Sequence, residues 1–184
     1  NLIRETGEID ILVNNAGFGF HGEHLILNQE GQLNMIDLNI RALTHLARHY
    51  GAEMKKKGSG RILNVASIAG YQPGPNMAVY CATKAYVLSY TRALHAELKK
   101  TGVSVTALCP GFVETGFQEV AGMELGALEL SGAVPAAKVA KTAVKAMRKG
   151  RREVIPGFLN KPIPYANRLV PISLNLAVVK RLMS

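Results

Sequence analysis

Residues 61–109 read RILNVASIAGYQPGPNMAVYCATKAYVLSYTRALHAELKKTGVSVTALC. The run Arg61-Ile-Leu-Asn-Val-Ala66 reads as a strand, and Ser67 through Asn76, rich in Gly and Pro, as a loop. Residues 77–100 read as one long helix, ended by Thr101-Gly102. Val103-Ser-Val-Thr-Ala-Leu-Cys109 is the next strand, broken by Pro110-Gly111. Two strands joined by a helix of this length lie parallel, because only a long crossover returns the chain to the same end of a sheet.

The pattern extends both ways. Upstream, Ile9-Asp-Ile-Leu-Val-Asn14 reads as a strand buried on both faces, followed by the turn Asn14-Asn15-Ala16-Gly17. Residues 29–57 carry Leu33, Ile36, Ile40, Leu43, Leu46, Ala47 and Tyr50 at steps of three and four. That spacing predicts a single long helix, stopped near Gly58. Downstream, Pro135 opens a helix to Lys149, closed by Gly150, and Val154-Ile155 is a short last strand. Strands and helices alternate throughout. This order predicts an α/β fold: a doubly wound parallel sheet, three layers α/β/α, in one domain over residues 1–184. Residues 112–133 hold Phe117, Val120, Met123, Leu125, Leu128 and Leu130 among glycines, and read as a mobile apolar flap over a site.

The chain has 184 residues, 48% hydrophobic and 19% charged, which excludes a disordered protein. No apolar run is long enough to cross a bilayer, and the polar, acidic opening from Asn1 to Asp10 does not read as a signal peptide. Cys81 and Cys109 are too few for a disulfide framework and predict a reduced, cytoplasmic protein. His21, His24, His45, His49 and His95 form no metal-ligand pattern, so no metal is expected. The net charge of +9 is unevenly placed: eleven of the 22 Lys/Arg fall in residues 138–184, beside a single acid, Glu153. Lys138, Lys141, Lys145 and Arg148 form a basic stripe. Residues 158–184 form a basic tail, with Leu174, Leu176, Val178, Val179 and Leu182 near Lys180 and Arg181. Such a tail is either a solvated face or a peripheral contact with an anionic partner, a lipid surface or a phosphate. Nucleic acid is not the expected partner, because Trp is absent and only Phe158 and Tyr165 interleave with the tail's cations.

Tyr80 and Lys84, four apart, share a helix face. A phenol ionises near pH 10, and a neighbouring ammonium favours the phenolate. The spacing therefore predicts an acid/base pair that works nearer neutrality. Asn14, Ser67 and Cys109 all stand at the carboxyl ends of predicted strands, where ligands gather in open parallel sheets. Taken singly, each residue is ordinary: a Tyr–Lys pair is usually a solvated face, and a Ser after a strand usually a turn. Their combination on these elements points to a site.

Four segments together resemble the one-domain short-chain dehydrogenase/reductase family. They are Asn14-Asn15-Ala16-Gly17; Asn39 within Asp37-Leu38-Asn39-Ile40; Ser67 followed by Tyr80-x-x-x-Lys84; and Pro110-Gly111-Phe112-Val113-Glu114-Thr115. The likeness covers residues 1–157. It implies an oxidoreductase on a Rossmann-like sheet that uses NADP or NAD, NADP being slightly favoured. The implied reaction interconverts a carbonyl and an alcohol on a hydrophobic small molecule. By the same resemblance, Tyr80 is the general acid/base, Ser67 positions the substrate oxygen, and Lys84 holds the nicotinamide ribose and lowers the Tyr80 pKa. Asn39 anchors a water that links Lys84 to solvent. Asn14, Ala16 and Gly17 stand beside the adenine, and Pro110, Gly111 and Thr115 beside the nicotinamide carboxamide. Family members pair their two long helices across a two-fold axis, which implies a homodimer or homotetramer. The alternative is a non-catalytic nucleotide-binding or regulatory protein on the same fold; the presence of Ser67, Tyr80, Lys84 and Asn39 together argues against it.

The family's opening strand and its Gly-x-x-x-Gly-x-Gly turn have no counterpart in these residues. Gly17-Phe-Gly19-Phe-His-Gly22 superficially resembles a dinucleotide fingerprint but follows the wrong strand. The expectation is therefore the second half of a Rossmann-like sheet, preceded in the whole protein by roughly 70–90 residues of a first mononucleotide half. On its own, this half is expected to leave a central strand edge unpaired and to lack useful dinucleotide affinity.

Overall fold

A computed structural model describes residues 7–123 and 132–182. Leu125, Leu128 and Leu130 of the expected flap lie outside the described residues. Four parallel strands form the main sheet: β1 (Ile11–Asn14), β2 (Gly60–Val65), β3 (Val103–Leu108) and, beyond the short β4 (Val113–Glu114) and β5 (Val134–Pro135), β6 (Glu153–Val154). Their order is β1-β2-β3-β6, while β4 and β5 pair with each other, also in parallel.

Alternation along the strands builds the layers. Leu12, Ile62, Val103 and Val105 pack with Tyr50, Met54 and Leu98, from helix α2 (Leu43–Lys57) and the end of helix α3 (Ala78–Glu97). Leu63 and Leu108 point the other way, onto Val139, Ala143 and Met147 of helix α5 (Ala136–Arg148). Helices thus cover both faces, as the alternating order predicts. In register, Asn14 stands opposite Asn64, and Val65 opposite Leu108. The loops after β1, β2 and β3 therefore leave the sheet side by side.

Two features depart from the sequence reading. First, the long helix over 29–57 is one rod with a change of pitch: α1 (Gln29–Ile36) runs into a π-helical segment, Asp37–Ala42, and then into α2. A π-turn re-aims one side chain relative to the α-helical stripe, and here Asn39 is the buried one. Second, β1 is not buried on both faces. Leu12 is buried, but Ile11 and Val13 are 51% and 50% exposed. α2 packs on the Leu12 side, whereas Val13 borders the cavity at the strand ends. The outer edge of β1 has no ladder partner among the described residues. The basic tail forms two helices, α6 (Ile163–Leu169) and α7 (Ile172–Leu182), which follow the short α4 (Phe117–Ala121) and α5 in the series. α6 packs on the 3₁₀ turn Ile68–Tyr71, and Asn167 Nδ2 donates to Gln72 Oε1 at 2.8 Å. Among the described residues, no helix is long and apolar enough to cross a membrane.

A buried polar ladder ties the sheet to α3. Asn14 Nδ2 donates to Asn64 Oδ1 (2.8 Å), Asn64 Nδ2 to Thr91 Oγ1 (3.0 Å), and Thr91 Oγ1 to Val87 O (2.6 Å). Replacing Asn64 strands the Asn14 amide and removes a donor from Thr91. Asn64→Ala in the full-length protein is expected to cost about 2–4 kcal/mol in urea unfolding. An unchanged midpoint would show the ladder to be inert.

Candidate active site

Ser67 follows β2 directly and caps the 3₁₀ turn, its Oγ accepting from Ala69 N at 3.1 Å. The loop then lies against α3 so closely that a Cβ on Gly70 would stand 2.7 Å from Lys84 O. Only glycine permits that approach. Tyr80 and Lys84 rise from the first turns of α3, and both are buried. Lys84 Nζ donates to Val65 O at 2.9 Å and sits 5.7 Å from the centre of the Tyr80 ring. Phe117 of α4 packs on that ring, with centroids 5.4 Å apart.

Asn39 holds the loop that covers this pair. Its Nδ2 donates to Phe18 O (2.9 Å) and Thr83 Oγ1 (3.1 Å), and its Oδ1 accepts from Phe18 N (3.2 Å). A Cβ on Gly17 would lie 2.8 Å from Asn39 Oδ1 and 3.4 Å from Lys84 Nζ; one on Gly19 would lie 2.9 Å from the Tyr80 ring. Gly17 and Gly19 thus serve close approach to Asn39 and Tyr80, and Gly22 takes a φ of +141° against Leu27, which accounts for the pattern without a phosphate.

A cavity of about 750 Å³ opens at these strand ends. Ser67, Tyr80 and Lys84 border it together with Gly17, Pro110, Gly111 and Thr115. Asn14, Ala16 and Asn39 do not. Asn14 is turned into the sheet towards Asn64, Ala16 is exposed beside the turn, and Asn39 lies beneath the Gly17–Gly19 loop. Asn15, rather than Asn14, reaches the cavity. The signal was available in the alternation of side chains along an extended segment, which sends neighbouring residues to opposite sides. The apolar wall includes Met77, Phe117, Met123 and Val139. No cluster of three or more metal-ligating side chains occurs among the described residues.

The short chain dehydrogenase family model matches residues 1–125. The ketoacyl reductase HetN of Nostoc is 35% identical over 151 residues, which are 82% of this chain and 52% of that protein. The 3-oxoacyl-(acyl-carrier-protein) reductase FabG of Haemophilus influenzae is 36% identical over 145 residues, 78% of this chain and 60% of that protein. A solved short-chain dehydrogenase from Sphingobium yanoikuyae, in complex with NADPH, superposes with a TM-score of 0.77 at 31% identity, covering 85% of this chain and 61% of that one. The chain belongs to the short-chain dehydrogenase family. It spans between 52% and 61% of the length of these three relatives.

In this short-chain dehydrogenase chain, burial governs the charges at the cavity. It pushes the Tyr80 phenol up to about 12, with the Ser67 hydroxyl pulling the other way. It pushes the Lys84 ammonium down to about 8. The Tyr80 pKa is raised rather than lowered, and Lys84 is not among the causes of the shift. The ammonium is engaged by the Val65 carbonyl, and desolvation of the phenol outweighs any attraction between the two groups.

A second cluster, which no sequence motif announced, stands behind the cavity. Arg92 of α3 grips Glu153 of β6 with Nε to Oε2 at 2.7 Å and Nη2 to Oε2 at 2.6 Å. Tyr71, at the end of the 3₁₀ turn, donates to Glu153 Oε1 at 2.5 Å, and Arg92 lies over its ring. Glu153 therefore fastens the Ser67 loop to the helix that carries Tyr80 and Lys84. Burial works to raise its carboxyl, but hydrogen bonds from Arg92 and Tyr71 outweigh that and hold it below the ordinary carboxylate value. Arg92→Ala in the full-length protein is expected to destabilise it by about 1–3 kcal/mol at neutral pH, because a part-buried carboxylate loses its partner. The bond contributes above the unfolded carboxylate pKa near 4.5 and is lost as the pH falls through the lower folded value. Thermal unfolding of parent and variant should therefore converge below about pH 4.5; a gap that persisted in acid would contradict the assignment.

Proposed function

We propose that the chain carries the proton-transfer machinery of an NAD(P)-dependent oxidoreductase that interconverts a carbonyl and an alcohol on a small, largely apolar molecule. The observation that carries this reading is the convergence of Ser67, Tyr80 and Lys84 on one cavity. Its volume, about 750 Å³, falls within the usual span of small-molecule sites. The residues suit the nicotinamide end of a dinucleotide. Gly17 keeps the covering loop thin beside Lys84, and Lys84 offers a cation to ribose hydroxyls. Pro110, Gly111 and Thr115 line the far wall, where a carboxamide would be held. A bound dinucleotide supplies or accepts the hydride.

Each remaining step belongs to the protein. In reduction, the Tyr80 hydroxyl gives its proton to the substrate oxygen, and the Ser67 hydroxyl donates a hydrogen bond to the same atom. In oxidation the proton moves the other way. A phenol near 12 stays protonated at neutral pH, which is the form that donates in reduction. Asn39 fixes the covering loop, and its Oδ1 keeps a second lone pair for the water that links Lys84 to solvent. Asn14 acts from outside the wall, by anchoring the end of β1 to Asn64, and Ala16 lies in the turn that leads to Gly17. NADP is the slightly favoured dinucleotide, in keeping with the relative solved with NADPH. Two relatives bear the names of ketoacyl reductases, and a keto-bearing acyl chain suits the wall of Met77, Phe117 and Met123.

The same reading extends to the whole protein. α2 and α3 serve as the pairing faces of a homodimer or homotetramer; Tyr86 and Tyr90 stack on α3 at 5.8 Å, with Tyr86 exposed. Two free, buried cysteines accord with a cytoplasmic setting. Exposed Phe158, Tyr165 and Leu169 beside Lys161 support a peripheral contact of the tail with an anionic surface.

In the full-length protein, Tyr80→Phe is expected to lower kcat for reduction of a competent ketone by about 10²–10⁴-fold. Dinucleotide binding should stay within about threefold, or roughly 0.7 kcal/mol. A variant that kept most of its turnover would refute the assignment of Tyr80. The pH profile supplies a second check. Tyr80 stays protonated and Lys84 loses its proton above about pH 8, so kcat/KM for reduction should be level to about pH 8 and fall beyond it. A profile that rose through that range would exclude Lys84 as a working cation.

A further inference from the structure

We propose that a hollow at the opposite end of the sheet binds a small anion bearing two or three phosphate groups. The hollow, about 540 Å³, lies at the amino ends of β2 and β3 and shares no residue with the cavity at Tyr80. Arg61 enters it from β2, Lys99 and Lys100 from the turn after α3, and Arg148 and Lys149 from the end of α5. Among the described residues, no acidic side chain lines it. Arg61 Nη1 donates to the carbonyls of Gly60 and Gly102, which holds the guanidinium in the wall. Lys99, Lys100, Arg148 and Lys149 make no ion pair among the described residues. Ser104 of β3 also lines the hollow, and its Oγ is buried with no hydrogen-bond partner among the described residues. A buried hydroxyl without a partner calls for one.

Cations at helix ends have a plain explanation, which has to be weighed first. The carboxyl end of a helix carries roughly half a negative charge. α3 and α5 both end at the hollow, so their dipoles account for about one of the five cationic charges. A surplus of about four remains, concentrated in a concave space. Phosphate groups carry roughly one to two negative charges each, so two or three of them match that surplus. The cations come from one strand and two helix ends and ring one hollow rather than spreading along a single helix face, which favours a small ligand over a bilayer, and an unpartnered Ser104 hydroxyl lies buried in the same lining. A free polyphosphate and a phosphorylated lipid headgroup share this chemistry, and the experiment separates them.

The test uses the full-length protein and titrates inorganic tripolyphosphate by calorimetry at moderate salt. Saturable one-to-one binding is expected, about tenfold or more tighter than that of orthophosphate. Lys100→Glu with Lys149→Glu should weaken it by about tenfold or more, while ketone reduction is unchanged. The milder pair Lys100→Gln and Lys149→Gln should weaken it less, which guards against a folding defect. Ser104→Ala should weaken it by about two- to fivefold with no change in salt dependence. Three results would overturn the proposal. The first is no saturable heat at millimolar tripolyphosphate. The second is binding that survives the double reversal and is displaced by NADPH, which would place the anion in the dinucleotide site. The third is co-sedimentation with phosphatidylserine vesicles in the absence of tripolyphosphate binding, which would make the patch a membrane contact. The proposal does not depend on the role of Tyr80, since loss of turnover in Tyr80→Phe leaves this titration unaffected.

Discussion

The burial of one ammonium constrains everything around it. Lys84 is 5% exposed, and among the described residues no carboxylate borders the cavity it faces. Its nearest protein partner is the Val65 carbonyl, a dipole rather than a charge. Dipoles compensate a buried cation only when they are aimed, so the backbone nearby has to be held still. The structure holds it from three sides. Val65 is locked in the parallel ladder opposite Leu108, Gly70 seats the Ser67 loop on Lys84's own peptide, and Asn39 clasps both the N–H and the carbonyl of Phe18. What remains uncompensated appears as a lysine brought down to about 8.

The interior treats its one gripped carboxylate differently. Glu153 receives two N–H bonds from Arg92 on one oxygen and a phenol on the other, and stays charged. Cys109 lies between the two regimes. Burial pushes its thiol up to about 12, so at neutral pH it stands as an uncharged group within the electrostatic reach of both Lys84 and Glu153. Arg92 thereby neutralises negative charge on the far side of Cys109, and Lys84 remains available to whatever enters the cavity. A free carboxylate in place of that triad would compete for the ammonium and draw it off the Val65 carbonyl.

The elements that were legible in the sequence are those fixed by local periodicity. The strand–helix–strand order, the parallel sheet and the meeting of Ser67, Tyr80 and Lys84 all follow from alternation, helical spacing and the rule that strand carboxyl ends share one crevice. What escaped depends on tertiary partners. The π-helical segment at Asn39 leaves no mark on the apolar periodicity, because Ile36, Ile40 and Leu43 suit either pitch. The exposure of Ile11 and Val13 depends on which neighbours cover β1, and four residues of pattern carry no such information. The Arg92–Glu153–Tyr71 cluster joins residues 61 and 82 positions apart, so no window contains it. The coupling of Tyr80 and Lys84 failed for an energetic reason: spacing places the two groups on one face, but burial decides which protonation state each prefers.

The chain also separates its charges by end. In a doubly wound sheet the carboxyl ends of the strands face the cavity, and the helices that return the chain finish at the amino ends, where their dipoles favour cations. Lys99 and Lys100 after α3 and Arg148 and Lys149 at the end of α5 gather there without ion pairs, and among the described residues Lys84 is the only cation bordering the cavity. β3 has six residues, a span of roughly 20 Å at 3.3 Å per residue. The screening length at physiological salt is about 8 Å. The cationic hollow therefore contributes little to the field at Tyr80, and chemistry at one end can be tuned without disturbing the other. A chain of net charge +9 can in this way keep a cavity whose potential is set by one lysine and a few fixed dipoles.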